Sequence, residues 1–374
     1  MTQEITVRLG HRSYSIVVGG GVLSTVGERL RALGVGSRVA LVSDRTVMRR
    51  HGEPVTASLR AAGFRVSTVA VPEGERAKSI AVAQQCWDEL LASGLDRTST
   101  VLALGGGAVG DLAGFVAATY MRGVNFVPLP TTILAQVDAS IGGKTAIDHP
   151  RAKNLIGAFH QPRLVLLDPE VVVTLSDREF RSGLAEVVKH GIVADEAYFV
   201  DVERHAGALL ARDLPTLERV IAGSCRIKAS VVERDEQETE LRAMLNYGHT
   251  VGHALEAVTD YGRFAHGEAV SIGMAAAARL AHRLGLASLD TVLRQERLLE
   301  GLGLPVRLPD IDHAALLAAI GRDKKARDGQ VPFVLAPRIG EFRLVFDVPP
   351  DTLRAVLAEL SPAEIAPGAR PWTN

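Results

Sequence analysis

Short apolar runs alternate with segments of helical periodicity through the first half of the chain. Residues 5–9 and 14–18 alternate with a period of two around a glycine-containing turn, which predicts a β-hairpin. The compact apolar runs, predicted as buried strands, are residues 38–44, 65–71, 101–104 and 126–129. Helical spacing is found at residues 22–33, 55–62 and 112–119, and the loop at residues 72–78 opens a helix that runs to about residue 93. Strands that alternate with helices of this length predict an open, mostly parallel α/β sheet.

After a last apolar run at residues 164–168 the pattern becomes helical almost to the end of the chain. The predicted helices are residues 177–211, 214–234, 246–258, 267–284, 291–302 and 314–321. A late hairpin at 331–335 and 342–346, a helix at 350–360 and a frayed tail complete the pattern. We therefore predict a Rossmann-like α/β domain at residues 1–172 and a mainly α-helical domain at residues 173–374.

Composition limits the classes of partner. The 374 residues exceed what one core usually supports, so two domains are expected. Hydrophobic residues make up 47% and charged residues 23%, which is typical of a folded soluble protein. A formal net charge of -1 gives no basic field for nucleic acid and no polybasic signal for a membrane. Any recognition of phosphate must therefore be local.

Three further features indicate a cytoplasmic protein. Cys86 and Cys225 lie far apart and form no CxxC motif, which predicts reduced thiols. The N-terminus has no apolar core of a signal peptide. No apolar run reaches the roughly 18 residues that a membrane helix needs.

A glycine cluster, LGGGAVGD at residues 104–111, follows the third buried strand and precedes a helix. Glycines at such a turn let the backbone approach a pyrophosphate, and the helix N-terminus offers free N–H groups. A tight turn without a ligand is the alternative. The cluster is not at the first βα turn, so any cofactor is held differently from a standard dehydrogenase. Asp44, at the end of the first buried strand, suits either a ribose contact or a helix N-cap.

Two pairs of opposite charges lie among apolar residues. Asp138 and Lys144 belong to the run DASIGGKT, where an unpaired charge would be costly. They either pair with each other or face a polar ligand, and Lys153 and Asn154 add donors nearby. Glu186 and Lys189 share one face of an apolar helix, as an i,i+3 ion pair or with Glu186 as a metal ligand.

Three histidines lie within a short span, His249 and His253 in NYGHTVGH and His266 in HGE. Neutral imidazole is the commonest metal ligand, so the group predicts a metal site. His249 and His253 are one helical turn apart, and spacing alone would make them the ligand pair, with Glu256 or His266 third. The cationic cluster DKKAR at residues 323–327 is either a solvated loop or a closing loop that reaches a phosphorylated substrate.

Taken together, these motifs resemble those of the 3-dehydroquinate synthases, which belong to the sugar phosphate cyclase family. The resemblance extends over nearly the whole chain, from Asp44 to the cationic cluster. It implies tightly held NAD and a divalent metal, Zn²⁺ or Co²⁺, in an enzyme that is usually a homodimer. The implied reaction converts 3-deoxy-D-arabino-heptulosonate 7-phosphate to 3-dehydroquinate and phosphate, a lyase step of the shikimate pathway. It proceeds by transient oxidation, phosphate elimination, reduction and intramolecular aldol closure.

The resemblance also implies site residues. The metal ligands would be Glu186, His249 and His266, so that His253 becomes a substrate or proton-relay residue, contrary to the spacing argument. NAD contacts would be Asp44, Glu75, Lys78, Gly107, Ala108, Val109, Gly110, Asp111, Thr131, Thr132, Lys144, Lys153 and Thr174, the last within residues 171–174. Substrate contacts would be Arg122, Asp138, Lys144, Asn154, Lys189, Lys228, Arg242, Asn246 and His253, with one of Lys324 and Lys325.

Three alternatives remain open at this point. Another sugar phosphate cyclase, an inosose or valiolone synthase, would share the chemistry but use a different sugar phosphate. The unbroken DASIGGKT run with Arg242, Asn246 and His253 favours the heptulosonate substrate. A metal-dependent NAD polyol dehydrogenase would not need so many cations around a phosphate. A non-catalytic nucleotide-binding module would explain neither the histidines nor Glu186.

Overall fold

The structure is a computed structural model that describes residues 2–321 and 331–361. The chain forms two compact units. The first comprises Met1–Gly191 and Ala197–Ala243, and the second Ile192–Glu196 and Met244–Asn374. The division into domains at residues 1–172 and 173–374 remains a prediction. Within the described ranges, no helix is long and apolar enough to cross a bilayer.

The first unit contains all nine strands of the α/β part. In chain order its main elements are β1 (Gln3–Val7), β2 (Tyr14–Val18), α1 (Val26–Ala32), β3 (Arg38–Asp44), α2 (Arg45–Ala61), β4 (Arg65–Val71), α3 (Ile80–Ala92), β5 (Thr100–Gly105), α4 (Gly107–Thr119), β6 (Asn125–Pro130), β7 (Lys144–His149), β8 (Ala152–Phe159), β9 (Leu164–Leu167), α5 (Pro169–Val172), α6 (Asp177–Ala194), α7 (Glu196–Arg204), α8 (Ala206–Leu210) and α9 (Leu214–Arg234). The last residues of α6 and the first of α7 belong to the second unit.

A four-stranded parallel sheet with the order β4-β3-β5-β6 forms the centre of the first unit. The two inner strands, β3 and β5, are almost wholly buried, because helices cover both faces of a parallel sheet. Their continuous apolar runs are the sequence signature of this position. The predicted Rossmann-like parallel sheet is confirmed.

A second sheet has the order β1-β2-β9. β1 and β2 pair antiparallel, from Gln3↔Val18 to Val7↔Tyr14, which confirms the predicted hairpin. β9 adds to β2 in parallel. A separate antiparallel hairpin, β7–β8, was not predicted, because its small and polar residues lack clear alternation.

Three predicted helices have different bounds. α2 begins at Arg45 rather than at residue 55, since the Asp44 carboxylate caps it by accepting a hydrogen bond from the Val47 amide at 2.9 Å. α4 begins at Gly107 rather than at residue 112. The single helix predicted for residues 177–211 is three helices, α6, α7 and α8.

The second unit is mainly helical, as predicted. Its further elements are α10 (His249–Val258), α11 (His266–Arg283), α12 (Leu289–Gly301), α13 (His313–Ile320), β10 (Phe333–Leu335), β11 (Arg343–Val345) and α14 (Pro350–Leu360). β10 and β11 form the predicted late hairpin. α11 is the central helix: thirteen of its residues are buried. The predicted tail and the cluster at residues 323–327 lie outside the described residues.

Candidate functional site

The glycine turn joins the end of β5 to the start of α4. Gly106 is the N-cap and has no side chain, so the first N–H groups of α4 are exposed toward the turn. The segment that follows β6 packs against it: the Thr131 amide donates to the Gly105 carbonyl at 2.9 Å, and a Cβ on Gly106 would lie 3.2 Å from Thr132 Cγ2. This turn is therefore suited to bind a phosphate group through its backbone.

A cleft opens beside this turn within the first unit. The residues around it include Gly105, Gly106, Gly107, Gly110, Ala135, Ala139, Ser140, Lys144 and Thr145. Most of these side chains are small, so a ligand can approach the backbone closely. Both sequence motifs singled out above, the glycine cluster and the DASIGGKT run, contribute to this one cleft.

Lys78 links three predicted ligand-binding segments. Its side chain is only 4% exposed. The Nζ atom lies 2.7 Å from Asp111 Oδ2 and 3.6 Å from Glu75 Oε1, and it also contacts Asn154 Oδ1. Lys153 Nζ lies 3.7 Å from the same Glu75 oxygen. Burial alone would lower the pKa of Lys78, but Asp111 and Glu75 raise it, so the lysine stays charged.

Helix α2 holds two other residues predicted to contact NAD. Asp44 is its N-cap, so the capping alternative is confirmed and the ribose contact stays a prediction. Thr174 is held by two side chains of α2: its carbonyl accepts a hydrogen bond from Arg50 Nη1 at 3.0 Å, and its hydroxyl is 3.1 Å from His51 Nε2. A single helix therefore fixes the positions of Asp44 and Thr174.

Asp138 is the centre of a buried charged cluster in the first unit. It lies in a π-helical turn, Ala135–Ala139, a form that often occurs at functional sites. Lys228 Nζ contacts both the carboxylate and the carbonyl of Asp138. Burial alone would raise the pKa of Asp138, but Lys228, Lys189 and His190 hold it well below its usual range. Burial, together with Arg242, lowers the pKa of Lys228.

Lys144 has a different partner from Asp138. It forms an ion pair with Glu238, whose backbone has a left-handed φ of 59°. The alternative in which Asp138 and Lys144 pair with each other is therefore wrong. Sequence reasoning missed Glu238, because it lies in an acidic run that is typical of a solvated surface.

The Glu186–Lys189 ion pair on α6 is confirmed, and both side chains are at most 1% exposed. Next to it lies His190, which sequence reasoning also missed. His190 Nδ1 is 2.5 Å from the Ser224 hydroxyl, while its Nε2 is buried without a hydrogen-bond partner among the described residues. Burial and Lys189 lower the pKa of His190 well below its usual value, so the ring is neutral. Candidate ligand atoms of Asp138, Glu186 and His190 lie within 4.8 Å of one another.

Arg242 is fixed by the loop that follows α9. It is 2% exposed, and its Nη1 donates to the Glu236 carbonyl at 2.7 Å and to the Gly142 carbonyl at 3.2 Å. Gly142 has a φ of 93°, and a Cβ there would lie 3.0 Å from Arg242 Cζ. Only glycine therefore suits this position beside the guanidinium group.

We predict that Asp235 stabilises this loop in a pH-dependent way. Its carboxylate accepts hydrogen bonds from the amides of Thr239, Glu240 and Arg242 at 2.8–2.9 Å. Burial alone would raise the pKa of Asp235, but these bonds lower it to about 2. A carboxylate whose pKa is lower in the folded state stabilises the protein above about pH 4, and this contribution disappears as the pH falls toward about 2.

Asp235→Asn is therefore expected to lower the free energy of unfolding by about 2 kcal/mol at neutral pH, with a smaller difference below about pH 4. Urea unfolding at several pH values measures this. Asp290→Asn is the control, because the Asp290 side chain is 86% exposed and its loss should change stability by less than about 0.5 kcal/mol. A difference that does not depend on pH would contradict the role of Asp235.

The second unit brings the three histidines together. His249 is the first residue of α10, His253 follows one turn later, and His266 is the first residue of α11. Ring centroids are 5.3 Å apart for His249 and His266, 5.1 Å for His249 and His253, and 6.0 Å for His253 and His266. Imidazoles at such distances, with a carboxylate, form the donor set that Zn²⁺ or Co²⁺ prefers. The residues therefore fit a divalent metal.

The remaining predicted residues are more dispersed. Asn246 ends the 3-10 helix Leu241–Asn246, directly before the histidine segment. Arg122 follows α4, where its side chain is exposed and its φ is 68°. Within the described residues, Arg122 forms no ion pair with the charged cluster around Asp138. Lys324 and Lys325 lie outside the described residues.

Comparison with known proteins identifies the family. Models described as the N-terminal and C-terminal parts of 3-dehydroquinate synthase match residues 68–182 and 183–326. A 3-dehydroquinate synthase of Geobacter metallireducens is 53% identical over 343 residues, which cover 92% of this chain and 95% of that protein. The chain belongs to the 3-dehydroquinate synthase family. The resemblance found in the sequence is confirmed.

Solved structures show the same fold. A 2-epi-5-epi-valiolone synthase from Streptomyces hygroscopicus subsp. jinggangensis, with NAD⁺ and Zn²⁺ bound, matches with a TM-score of 0.86 and 30% identity, covering 94% of this chain and 98% of that one. A 2-deoxy-scyllo-inosose synthase also reaches a TM-score of 0.86, at 24% identity and with coverage of 96% and 100%. The predicted fold class is therefore confirmed by experimentally known folds.

Proposed function

We propose that this chain is an enzyme that converts 3-deoxy-D-arabino-heptulosonate 7-phosphate to 3-dehydroquinate and phosphate. The observation that carries the proposal is the 53% identity to a 3-dehydroquinate synthase over nearly the full length of both chains. The buried charged cluster around Asp138 supports it independently, because its cationic side chains suit a substrate that carries a phosphate and a carboxylate.

We propose NAD and a divalent metal, Zn²⁺ or Co²⁺, as cofactors. When bound, NAD would accept a hydride from the carbon that is oxidised and later return it, and the metal would polarise the oxygen of that hydroxyl group. The metal ligands in this proposal are Glu186, His249 and His266. NAD would contact the N-terminus of α4, together with Asp44, Lys78 and Thr174 and the other residues predicted above. Support comes from the uncapped start of α4 and from the valiolone synthase, which was solved with NAD⁺ and Zn²⁺.

The chain's own charged residues would bind and orient the substrate. Within the first unit, Lys189, Lys228 and Arg242 carry three positive charges against the carboxylates of Asp138 and Glu186. This positive excess suits an anionic substrate, and the ionised Asp138 can accept a hydrogen bond from a sugar hydroxyl. The other proposed substrate contacts are Arg122, Lys144, Asn154, Asn246 and His253.

Because NAD is regenerated within one turnover, the net reaction is a lyase reaction. The main alternative is another sugar phosphate cyclase, and a polyol dehydrogenase is more remote. The valiolone synthase is 30% identical to this chain, whereas the 3-dehydroquinate synthase of Geobacter metallireducens is 53% identical to it. This difference favours the heptulosonate substrate.

We further propose a homodimer in the cytoplasm. Three large apolar side chains of β8 are exposed, Leu155 (57%), Ile156 (36%) and Phe159 (47%), and β8 pairs only with β7 among the described strands. An exposed apolar edge strand is a natural site for pairing with a second copy. Light scattering that gives a monomer mass would contradict the dimer. Two buried free cysteines suit a reducing compartment, which cell fractionation can check.

The substrate is tested by incubating the purified protein with NAD, Zn²⁺ and each candidate sugar phosphate. We expect release of phosphate and formation of a carbocycle with the heptulosonate phosphate. Turnover of a heptulose or hexose phosphate without any turnover of the heptulosonate would overturn the proposal. Steady accumulation of NADH with a simple polyol would indicate a dehydrogenase instead.

A further inference from the structure

We infer that Glu256 is a positioning residue for His266: its carboxylate holds Nδ1 of the imidazole, so that Nε2 is presented to the metal. The inference rests on the proposed function, in which His249 and His266 are metal ligands. It adds a residue that neither the sequence motifs nor the resemblance assigns to this role.

The geometry lies entirely within the second unit. His266 begins α11, and Glu256 lies in the last turns of α10. His266 Nδ1 is 3.3 Å from Glu256 Oε1, and the Glu256 side chain is only 11% exposed. An ionised carboxylate can only accept a hydrogen bond, so Nδ1 must carry the proton. An imidazole that binds a metal is neutral, so with the proton on Nδ1 its lone pair is on Nε2, and Nε2 is the atom that would bind the metal.

His249 is oriented in the same way by the backbone. Its Nδ1 lies 3.1 Å from the Tyr247 carbonyl oxygen, which is also only an acceptor. Both proposed ligands therefore have Nδ1 bound to an acceptor of their own unit. Metal-ligating histidines usually donate the second ring N–H to a carboxylate or a carbonyl in this manner, and the loss of such a partner weakens metal binding.

The helices that carry these rings are held in close backbone contact. A Cβ on Gly273 of α11 would collide with the Gly248 carbonyl oxygen, and a Cβ on Gly252 would lie 3.1 Å from the Ala269 carbonyl oxygen. The Tyr247 hydroxyl donates to Gln295 Oε1 at 2.7 Å, which fixes the turn before His249. Because the backbone is fixed, the His266 side chain can still move only by rotation of its ring, and Glu256 restricts this rotation.

A direct ligand role for Glu256 is the competing interpretation. Candidate ligand atoms of His253, Glu256 and His266 lie within 4.8 Å of one another. Glutamine separates the two roles, because its amide oxygen still accepts from Nδ1 but is a poor metal ligand. If Glu256 positions His266, Glu256→Gln should keep the metal affinity that Glu256→Ala loses. If Glu256 is itself a ligand, Glu256→Gln should lose as much metal affinity as Glu256→Ala.

The experiment uses the full-length protein with NAD, freed of metal by a chelator and then titrated with Co²⁺ alone and with Zn²⁺ alone. We expect Glu256→Ala to raise the dissociation constant of Co²⁺ about 10- to 100-fold and to alter the visible spectrum of the bound Co²⁺. Glu256→Gln should recover most of the affinity and the wild-type spectrum. His253→Ala should bind Co²⁺ as the wild type does.

Glu296→Gln is the matched control. Glu296 is a buried carboxylate of the same unit that pairs with Arg279 at 2.6 Å, so its change should lower stability without changing metal affinity. Wild-type affinity in Glu256→Ala, or equal loss in Glu256→Gln and Glu256→Ala, would overturn the inference. A wild-type protein that binds no Co²⁺, or a His266→Ala variant that retains it, would instead contradict the proposed metal site.

Discussion

Replacing His253 with alanine is expected to lower kcat by about 100- to 10,000-fold and to leave the bound metal in place. In the proposed function, His253 moves a proton or contacts the substrate and is not a ligand. Its ring centroid is 5.1 Å from that of His249 and 6.0 Å from that of His266, so it lies beside both proposed ligands. The measurements are kcat and metal content per subunit.

His266→Ala provides the contrast, because it should lose both metal and activity. The control is His282→Ala: this exposed histidine at the end of α11 has its Nδ1 2.9 Å from the Ala287 carbonyl oxygen and belongs to no site. It should keep wild-type activity. If metal survives in His266→Ala but is lost in His253→Ala, the ligand pair is His249 and His253, as helical spacing alone would have it.

Lys228→Met is expected to lower both stability and activity. The methionine fills the space of the lysine stem but removes the charge that Asp138 contacts. Loss of one partner of a buried ion pair costs about 3–5 kcal/mol. The Asp138 side chain is 26% exposed, so we expect a loss of about 2–3 kcal/mol in the free energy of unfolding. We also expect kcat/KM to fall about 10- to 100-fold, through the lost contact with a charged substrate group.

Arg226→Met is the matched control on the same helix. It removes a positive charge two residues away, at an exposed position where Arg226 contacts Gln3. It should change neither kcat/KM nor stability by a comparable amount. Urea unfolding and steady-state kinetics measure both variants. Wild-type stability in Lys228→Met would mean that Asp138 does not depend on Lys228 for its charge.

The sequence predicts those parts of the fold in which local pattern and final environment agree. β3 is found at Arg38–Asp44 and β2 at Tyr14–Val18, because buried or alternating strands leave a clear apolar pattern. The β7–β8 hairpin has no such pattern. The helix predicted from residue 55 begins at Arg45, where Asp44 caps it, and it continues through Pro54, because burial of its apolar face, which includes Val55 and Leu59, offsets the cost of the proline.

In the site, residue types are easier to predict than their partners. The glycine turn and the charge of Asp138 can be recognised from neighbouring residues alone. The partner of Asp138 is Lys228, 90 positions away, and no local pattern indicates that pairing. Similarly, spacing favours His249 and His253 as ligands, but His266 comes from a different helix and lies equally close. At the level of sequence, only the family resemblance separates the proposed ligands His249 and His266 from His253.

The central claim is most directly tested by following one reaction with a large molar excess of 3-deoxy-D-arabino-heptulosonate 7-phosphate over protein and NAD. The account predicts that phosphate and 3-dehydroquinate form in equal amounts, well beyond the amount of NAD present, while no NADH accumulates. NADH that accumulates in proportion to product, or phosphate released without the carbocycle, would contradict it.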